Sequence, residues 1–266
     1  MIKADIINTY WIKEMELDYN KPVEIYGDHF PTTPIPNGIV RICISHEPHP
    51  HLSVKAFEHP EYYTWLLTWK EEHLTKIPNS VFFFATEPRV KDYKFSKKGF
   101  GVSTVVGEKD EFEGHRMRQS LYFKQNEITI PTRFYISGTK LWKGIEYTDQ
   151  PLLDPACKDA LWDTQFHIAI ENLFMNNWFT EKILDCFLSK TVPVYIGAPN
   201  IRNFFNERGI IICNNLDDVI NFCNRLTPEL YLAMSDAIED NYNRAFNWIP
   251  HMDKLRAKIN QILKKC

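Results

Sequence analysis

The chain has 266 residues, enough for one large domain or two small ones, and 44% of them are hydrophobic and 14% aromatic, which suits a well-packed core. A formal net charge of −3 excludes a generally nucleic-acid-binding surface, and no run approaches the roughly 20 apolar residues that a bilayer-spanning helix needs. The N-terminus lacks the continuous apolar core of a signal peptide, and six cysteines without a CxxC pair suit a reducing compartment better than a disulfide framework.

In chain order, apolar runs of strand length fall at 39–45, 63–69, 81–85, 101–106, 134–137, 165–170, 191–196 and 209–213. Helical patterns lie between them at 71–76, 115–124, 156–162, 180–190 and 216–226. Strands alternating with helices predict an α/β architecture with mainly parallel sheets. The polar segment 92–101, with three lysines and two glycines near its end, marks the expected junction of two α/β domains, 1–94 and 95–248. After Pro228 a long helical stretch is expected through Asn247, and past Pro250 a last basic helix within 249–266 is long enough to cross back.

Four stretches place polar residues where strands end, which is where open α/β sheets build their sites. CISHEPHPH, residues 43–51, holds His46, Glu47, His49 and His51. A zinc site of the HExxH kind needs histidines at i and i+4 on one helical face, whereas His46 and His49 are three apart and Pro48 and Pro50 forbid a regular helix between them. Glu47, held rigid by Pro48, is instead a candidate general base; an exposed His-rich loop is the plainer alternative. GEKDEFEGHRMRQSLY, residues 107–122, brings Arg116 and Arg118 into a helix just past a strand, where arginine can clamp a diphosphate.

FHIAIENLFMNNWFTEK, residues 166–182, delivers Glu171 and Asn172 to a strand end and leads to Thr180, a candidate N-cap. Glu181 and Lys182 then fall in the first helical turn, beside orphan N–H groups that can bind phosphate. Neither GxGxxG nor a P-loop is present. YIGAPNIRNFF, residues 195–205, closes the set with Tyr195 and Gly197; a glycine there permits an unusual backbone angle or the close approach of a ligand.

Taken in order, these stretches resemble the α1,3-fucosyltransferase family, glycosyltransferase family 10, especially its bacterial type. FHIAIEN followed by FTEKILDCFLSKTVPVYIGAPNI resembles that family's F-E-N…T-E-K…P-Y-G-P signature. HEPHP resembles its Glu-Ser-Pro segment, YTWLLTWKEEH the strand that follows, and VSTVVGEKDEFEGHRMRQSLY its V-S-N…R motif. The match runs from about residue 40 to residue 215.

The resemblance implies GT-B architecture, two Rossmann-like domains facing across a cleft, with the nucleotide sugar on the second. It implies an inverting transfer to a glycan hydroxyl, GDP-fucose as donor and no essential metal or other cofactor. Glu47 would be the catalytic base, and Arg118 and Lys182 would contact the diphosphate. Glu181 would contact ribose or sugar, Glu171 and Asn172 match the family's Glu-Asn pair, Thr180 heads the Thr-Glu-Lys helix, and Tyr195 and Gly197 would lie on the donor pocket's floor. His46, His49, Arg116 and Trp178 are further candidate contacts. Leu173 stands where the family has Ser and Trp178 where it commonly has Tyr, so another donor such as UDP-xylose, or an inactive sugar- or nucleotide-binding module, is the alternative. Without an anchor or bridge framework, the chain resembles a cytoplasmic bacterial or viral enzyme; acceptor and oligomeric state stay open.

Overall fold

The computed structural model describes residues 1–7, 12, 14–48, 50–84, 86–90, 97–137, 152–153, 158–249 and 251–266, with backbone only at 50–53 and 152–153. It divides into two compact units, Met1–Ala85 with Pro250–Cys266, and Thr86–Ile249. Along the first unit run β1 (Ile2–Lys3), β2 (Asp5–Ile7), β3 (Glu16–Leu17), β4 (Val23–Gly27), β5 (Val40–Ser45), α1 (Pro50–Glu58), β6 (Trp65–Thr68), α2 (Glu71–Lys76) and β7 (Ser80–Phe82). Strands β1 and β3 form an antiparallel ribbon, and the other five form a sheet in the order β2-β4-β5-β6-β7 with every pairing parallel. The two prolines of HEPHP do not exclude a helix altogether. Helix α1 starts at Pro50, in the first turn, where a missing N–H leaves no helical bond unmade.

The second unit contains β8 (Gly99–Gly107), α3 (Glu113–Phe123), β9 (Thr132–Ser137), β10 (Leu152–Leu153), β11 (Thr164–Ile170), α4 (Glu181–Leu188), β12 (Val192–Ile196), β13 (Ile211–Ile212), α5 (Leu216–Cys223), α6 (Pro228–Ala233) and α7 (Ser235–Phe246). Its six strands are parallel and ordered β10-β9-β8-β11-β12-β13. The chain steps outward from β8 through β9 to β10, then returns to the other side of β8 and steps outward again. The order therefore reverses between β8 and β11, and in a doubly wound sheet a ligand binds outside the strands' carboxyl ends at that point.

Part of the expected junction lies outside the described residues, and its two glycines belong to β8. Gly101 adopts φ +143, and a Cβ there would meet the Pro131 carbonyl oxygen at 2.6 Å. The helical stretch after Pro228 is broken at Met234 into α6 and α7. The break lets Tyr231 pack edge-on against Phe166 and donate its hydroxyl to the Lys190 carbonyl, while α7 lies along α4.

Helix α8 (His251–Leu263) returns to the first unit. There Cys43 and Leu66 pack with Ala56, Tyr63 and Ile77 on one face of the sheet, whereas Val23, Ile25, Ile42, Ile44 and Leu67 point to the other. Right-handed crossovers in a single progression of parallel strands put the connecting helices on one side, so the second face needs cover from elsewhere. Leu255, Ile259, Ile262 and Leu263 of α8 provide it, all at most 1% exposed, and Asn260 accepts a hydrogen bond from the Asp18 N–H at 2.9 Å. Leu255→Ala should therefore lower unfolding free energy by about 2–5 kcal/mol in urea titration. A loss under about 0.5 kcal/mol, the size expected of a surface position, would show that α8 does not carry that face.

Candidate active site

Strand β11 ends in the apolar run Ile168, Ala169 and Ile170, and the next residue is the fully buried Glu171, whose N–H donates to the Ile196 carbonyl of β12 at 2.8 Å. Such a carboxylate needs partners. Thr180 supplies two: its N–H to Oε1 at 2.8 Å and its hydroxyl to Oε2 at 2.7 Å. With its proton so committed, Thr180 Oγ1 accepts from the Lys182 N–H at 3.4 Å and from Lys182 Nζ at 3.1 Å. The ammonium also lies 3.3 Å from Glu181 Oε1 and 3.8 Å from Glu171 Oε2. Thr180 is thus the N-cap of α4 and the link that ties Lys182 to a buried anion. Burial pushes the Glu171 carboxyl up against the opposing pull of Lys182. At Glu181 burial acts the same way, but Lys182 and Lys158 outweigh it and hold that carboxyl down to about 2.

Helix α3 is docked onto the same strand end. The Gly114 N–H donates to the Asn172 carbonyl at 3.0 Å, and a Cβ on Gly114 would overlap the backbone of Glu171. Only glycine allows that approach. One turn later Arg118 donates to the Ile170 carbonyl and, through Nη2 at 2.8 Å, to Asn172 Oδ1. Burial lowers the guanidinium to about 10, with Glu171 and Glu181 opposing, so it stays charged at neutral pH.

These elements enclose a cavity of about 420 Å³ at the carboxyl ends of β8, β9 and β11. Lys109, Arg118, Lys158 and Lys182 line it against the carboxylates of Glu108 and Glu181, together with Asn172, His115 and His167. His167 sits deeper on β11. The Ser103 hydroxyl donates to the Leu161 carbonyl at 2.6 Å, so the 2.8 Å contact between His167 Nδ1 and Ser103 is a bond donated by the ring, which leaves Nε2 as an acceptor. Burial, with Lys158 adding to it, pushes this imidazole down to about 3 and keeps it neutral.

In the first unit, Glu47 follows β5 and is held through its backbone. Asp28, at φ +53, accepts the N–H groups of His46 and Glu47 on one carboxylate oxygen, each at 2.6 Å. The His46 ring lies 3.5 Å from Asp28 and 3.7 Å from Glu47, and its carbonyl accepts from Trp69 Nε1 at 2.8 Å. Burial would raise the Asp28 carboxyl, but the bonds from His46 and Glu47 and the His46 charge hold it below its usual range. Lys70 nearby is pushed down to about 8 by burial, with Asp28 opposing.

Among the residues singled out from sequence, Arg118, Asn172, Glu181 and Lys182 line the cavity, and Thr180 and Glu171 support it. Tyr195 and Gly197, expected on the pocket floor, do not line it. The buried Tyr195 hydroxyl accepts from the Ala198 N–H at 3.0 Å, and a Cβ on Gly197 would run into that hydroxyl and lie 2.7 Å from Glu171 Cγ. The close approach that Gly197 permits in the structure is that of the Tyr195 and Glu171 side chains. Arg116 is exposed and donates to the Asp110 and Glu111 carbonyls, and Trp178 is buried in the unit without lining the cavity. His49 lies outside the described residues, as does the side chain of His51. Among the described residues no group of three His, Cys, Asp or Glu side chains is arranged to hold a metal ion.

Sequence reading missed Lys109, His115, Lys158 and His167. For His167 a signal existed: a histidine set between Phe166 and Ile168 in the middle of a strand. Lys109, His115 and Lys158 read as ordinary surface residues of a loop and two helices, and nothing in their spacing marks them.

A doubly wound sheet with cationic side chains and helix N-termini gathered at its switch point has the geometry of an anion site. The family model described as glycosyltransferase family 10 (fucosyltransferase) C-term matches residues 110–266, and the chain belongs to that family. A 58-residue segment is 34% identical to alpha-(1,3)-fucosyltransferase FucT of Helicobacter pylori, covering 22% of this chain and only 12% of that protein. The fold is that of a crystal structure of alpha1,3-fucosyltransferase, with TM-score 0.57 and 16% identity over 91% of this chain and 78% of that one; the same similarity extends to its complex with GDP-fucose, at TM-score 0.56. TarM is also similar, with TM-score 0.57 and 12% identity over 91% of this chain and 54% of its own. These likenesses put the chain in the GT-B fold class.

Gly114→Ala must push α3 off the β11 exit. It should cost about 1–3 kcal/mol in thermal or urea unfolding, as overpacking does, and should weaken ligand binding in the cavity by moving Arg118. Unchanged stability would show that the contact between α3 and Glu171 is looser than the structure has it.

Proposed function

We propose that this chain is an inverting glycosyltransferase that moves fucose from GDP-fucose to a hydroxyl of a glycan acceptor without an essential metal. The observation that carries this reading is the cavity at the switch point, where four cationic side chains meet two carboxylates on a family 10 scaffold. A nucleoside diphosphate sugar matches that mixture: a diphosphate for the cations, hydroxyls for the ionised Glu181. Arg118 is pre-aimed by Asn172, and Lys182 by Thr180 and Glu171, so neither side chain has to be ordered when the ligand arrives.

Departure of the diphosphate builds negative charge on its bridging oxygen. Arg118 and Lys182 would stabilise that charge as fixed groups in a site of low dielectric, the role a metal ion plays elsewhere. A sugar hydroxyl is a poor nucleophile at neutral pH, so a carboxylate should take its proton as the new bond forms. Glu47 is suited to accept that proton, because its side chain is about one-third exposed and its backbone is clamped by Asp28. Attack opposite the leaving group inverts the anomeric centre.

A UDP-sugar donor is the second reading, since a TarM variant with UDP bound, at TM-score 0.55, has the same fold. A thermal-shift panel of GDP, GDP-fucose, UDP and UDP-xylose, with and without chelator, separates the two. GDP and GDP-fucose should raise stability by ~2.7 kcal/mol at a hundredfold excess over Kd, chelator or not. A response to UDP compounds alone would replace the donor, and no response at all would overturn the enzyme reading. Glu47→Gln should reduce turnover by ~10²–10⁴ while leaving GDP-fucose affinity in place, and wild-type turnover would remove Glu47 as the base.

A further inference from the structure

His115 is the third residue of α3, 7% exposed, and lines the cavity beside Lys109, Arg118 and Lys182. Its Nδ1 accepts a hydrogen bond from the Phe112 N–H at 3.2 Å. In a capping box that place belongs to Glu or Gln, whose side chain reaches back to the N-cap N–H. A neutral imidazole carries one proton, and with Nδ1 accepting, that proton is on Nε2. Burial, then Arg118, with Glu111 opposing and Lys182 and Lys109 adding, pushes the ring down to about 4. At neutral pH His115 is therefore an uncharged donor, and no described residue accepts its Nε2–H.

Three backbone N–H groups at this helix start are already committed within the protein. The Gly114 N–H goes to the Asn172 carbonyl, and those of His115 and Arg116 go to the Phe112 carbonyl at 3.1 and 3.3 Å. The imidazole extends the helix's positive end to the cavity wall. The Phe112 N–H bonded to Nδ1 polarises the ring and strengthens Nε2–H as a donor. An acceptor placed among Lys109, Arg118 and Lys182 must be anionic to gain from all of them.

We propose that His115 is a ligand of the donor's diphosphate, giving its Nε2–H to a phosphate oxygen next to Arg118 and Lys182. It supplies a directed hydrogen bond without crowding another full charge between two cations. The proposal rests on the nucleoside diphosphate reading of the cavity.

Two substitutions divide the ring's functions. Asn at 115 keeps an acceptor near the Nδ1 position and loses the distal N–H; Gln, the usual residue of a capping box, keeps a cap acceptor and adds an amide N–H. Calorimetry with GDP, inorganic pyrophosphate and guanosine is the measurement, with thermal unfolding alongside. H115N should lose about ten- to hundredfold in affinity for GDP and pyrophosphate while melting near wild type, the size expected for a hydrogen bond to a charged group. H115Q should keep GDP affinity within a few-fold and melt near wild type, and guanosine should bind all three proteins alike. Wild-type GDP affinity in H115N, or a parallel loss of guanosine, would make the ring a helix cap and overturn the proposal.

If wild type binds guanosine but neither GDP nor pyrophosphate, the diphosphate reading itself falls and this role with it. Should H115N not fold, nitrogen-labelled histidine NMR of the wild type decides. The Nε2–H tautomer with a proton signal moving downfield on adding pyrophosphate is expected; an unmoved signal overturns the role.

Discussion

One buried carboxylate, that of Glu171, holds the candidate site together. Its N–H reaches β12, its side chain fixes the N-cap of α4, its carbonyl lies against the first turn of α3, and Gly197 presses against its methylene carbon. Four elements meet at one residue with no exposed surface. Removing a partner from a group so placed leaves an unsatisfied anion, which is why Thr180 gives it two hydrogen bonds and both glycines are bare. The cost of burying the charge is offset by the order it imposes on Lys182 and, through Asn172, on Arg118.

The cavity then combines charge with neutrality. Four cations would repel one another, and Glu181 and Glu108 balance part of that repulsion. Its two histidines are kept uncharged by burial and by their cationic neighbours, and hydrogen bonds fix them in opposite tautomers. His115 presents a donor because the Phe112 N–H occupies its Nδ1; His167 presents an acceptor because its Nδ1 proton goes to Ser103. Neutral imidazoles of fixed direction give a ligand orientation that flexible lysines cannot, since an ammonium on a four-carbon stem has no preferred bond direction.

The first unit shows the same economy by another route. Its single progression of parallel strands leaves one sheet face without a helix, and α8, the last helix of the chain, fills it. Past the carboxyl ends of β4 and β5, Asp28 accepts two adjacent N–H groups and so fixes the backbone that carries Glu47.

Much of this was written locally. The strand runs, the Thr180 cap, the placing of Glu181 and Lys182 in a first turn and the family signature depend on residues a few positions apart, where period and propensity act directly. Helix α1 was hidden because Pro50 reads as a breaker until its place in the first turn is known. What the tertiary structure alone decided are the relations between distant residues. Tyr195 and Gly197 pack against Glu171 and do not line the cavity. Lys109, His115, Lys158 and His167 join Arg118 and Lys182, because the strand order reverses between β8 and β11 and brings four separate segments to one end of the sheet. Periodicity reports which face of an element is apolar; only the packing of the sheet determines which polar residues share a cavity.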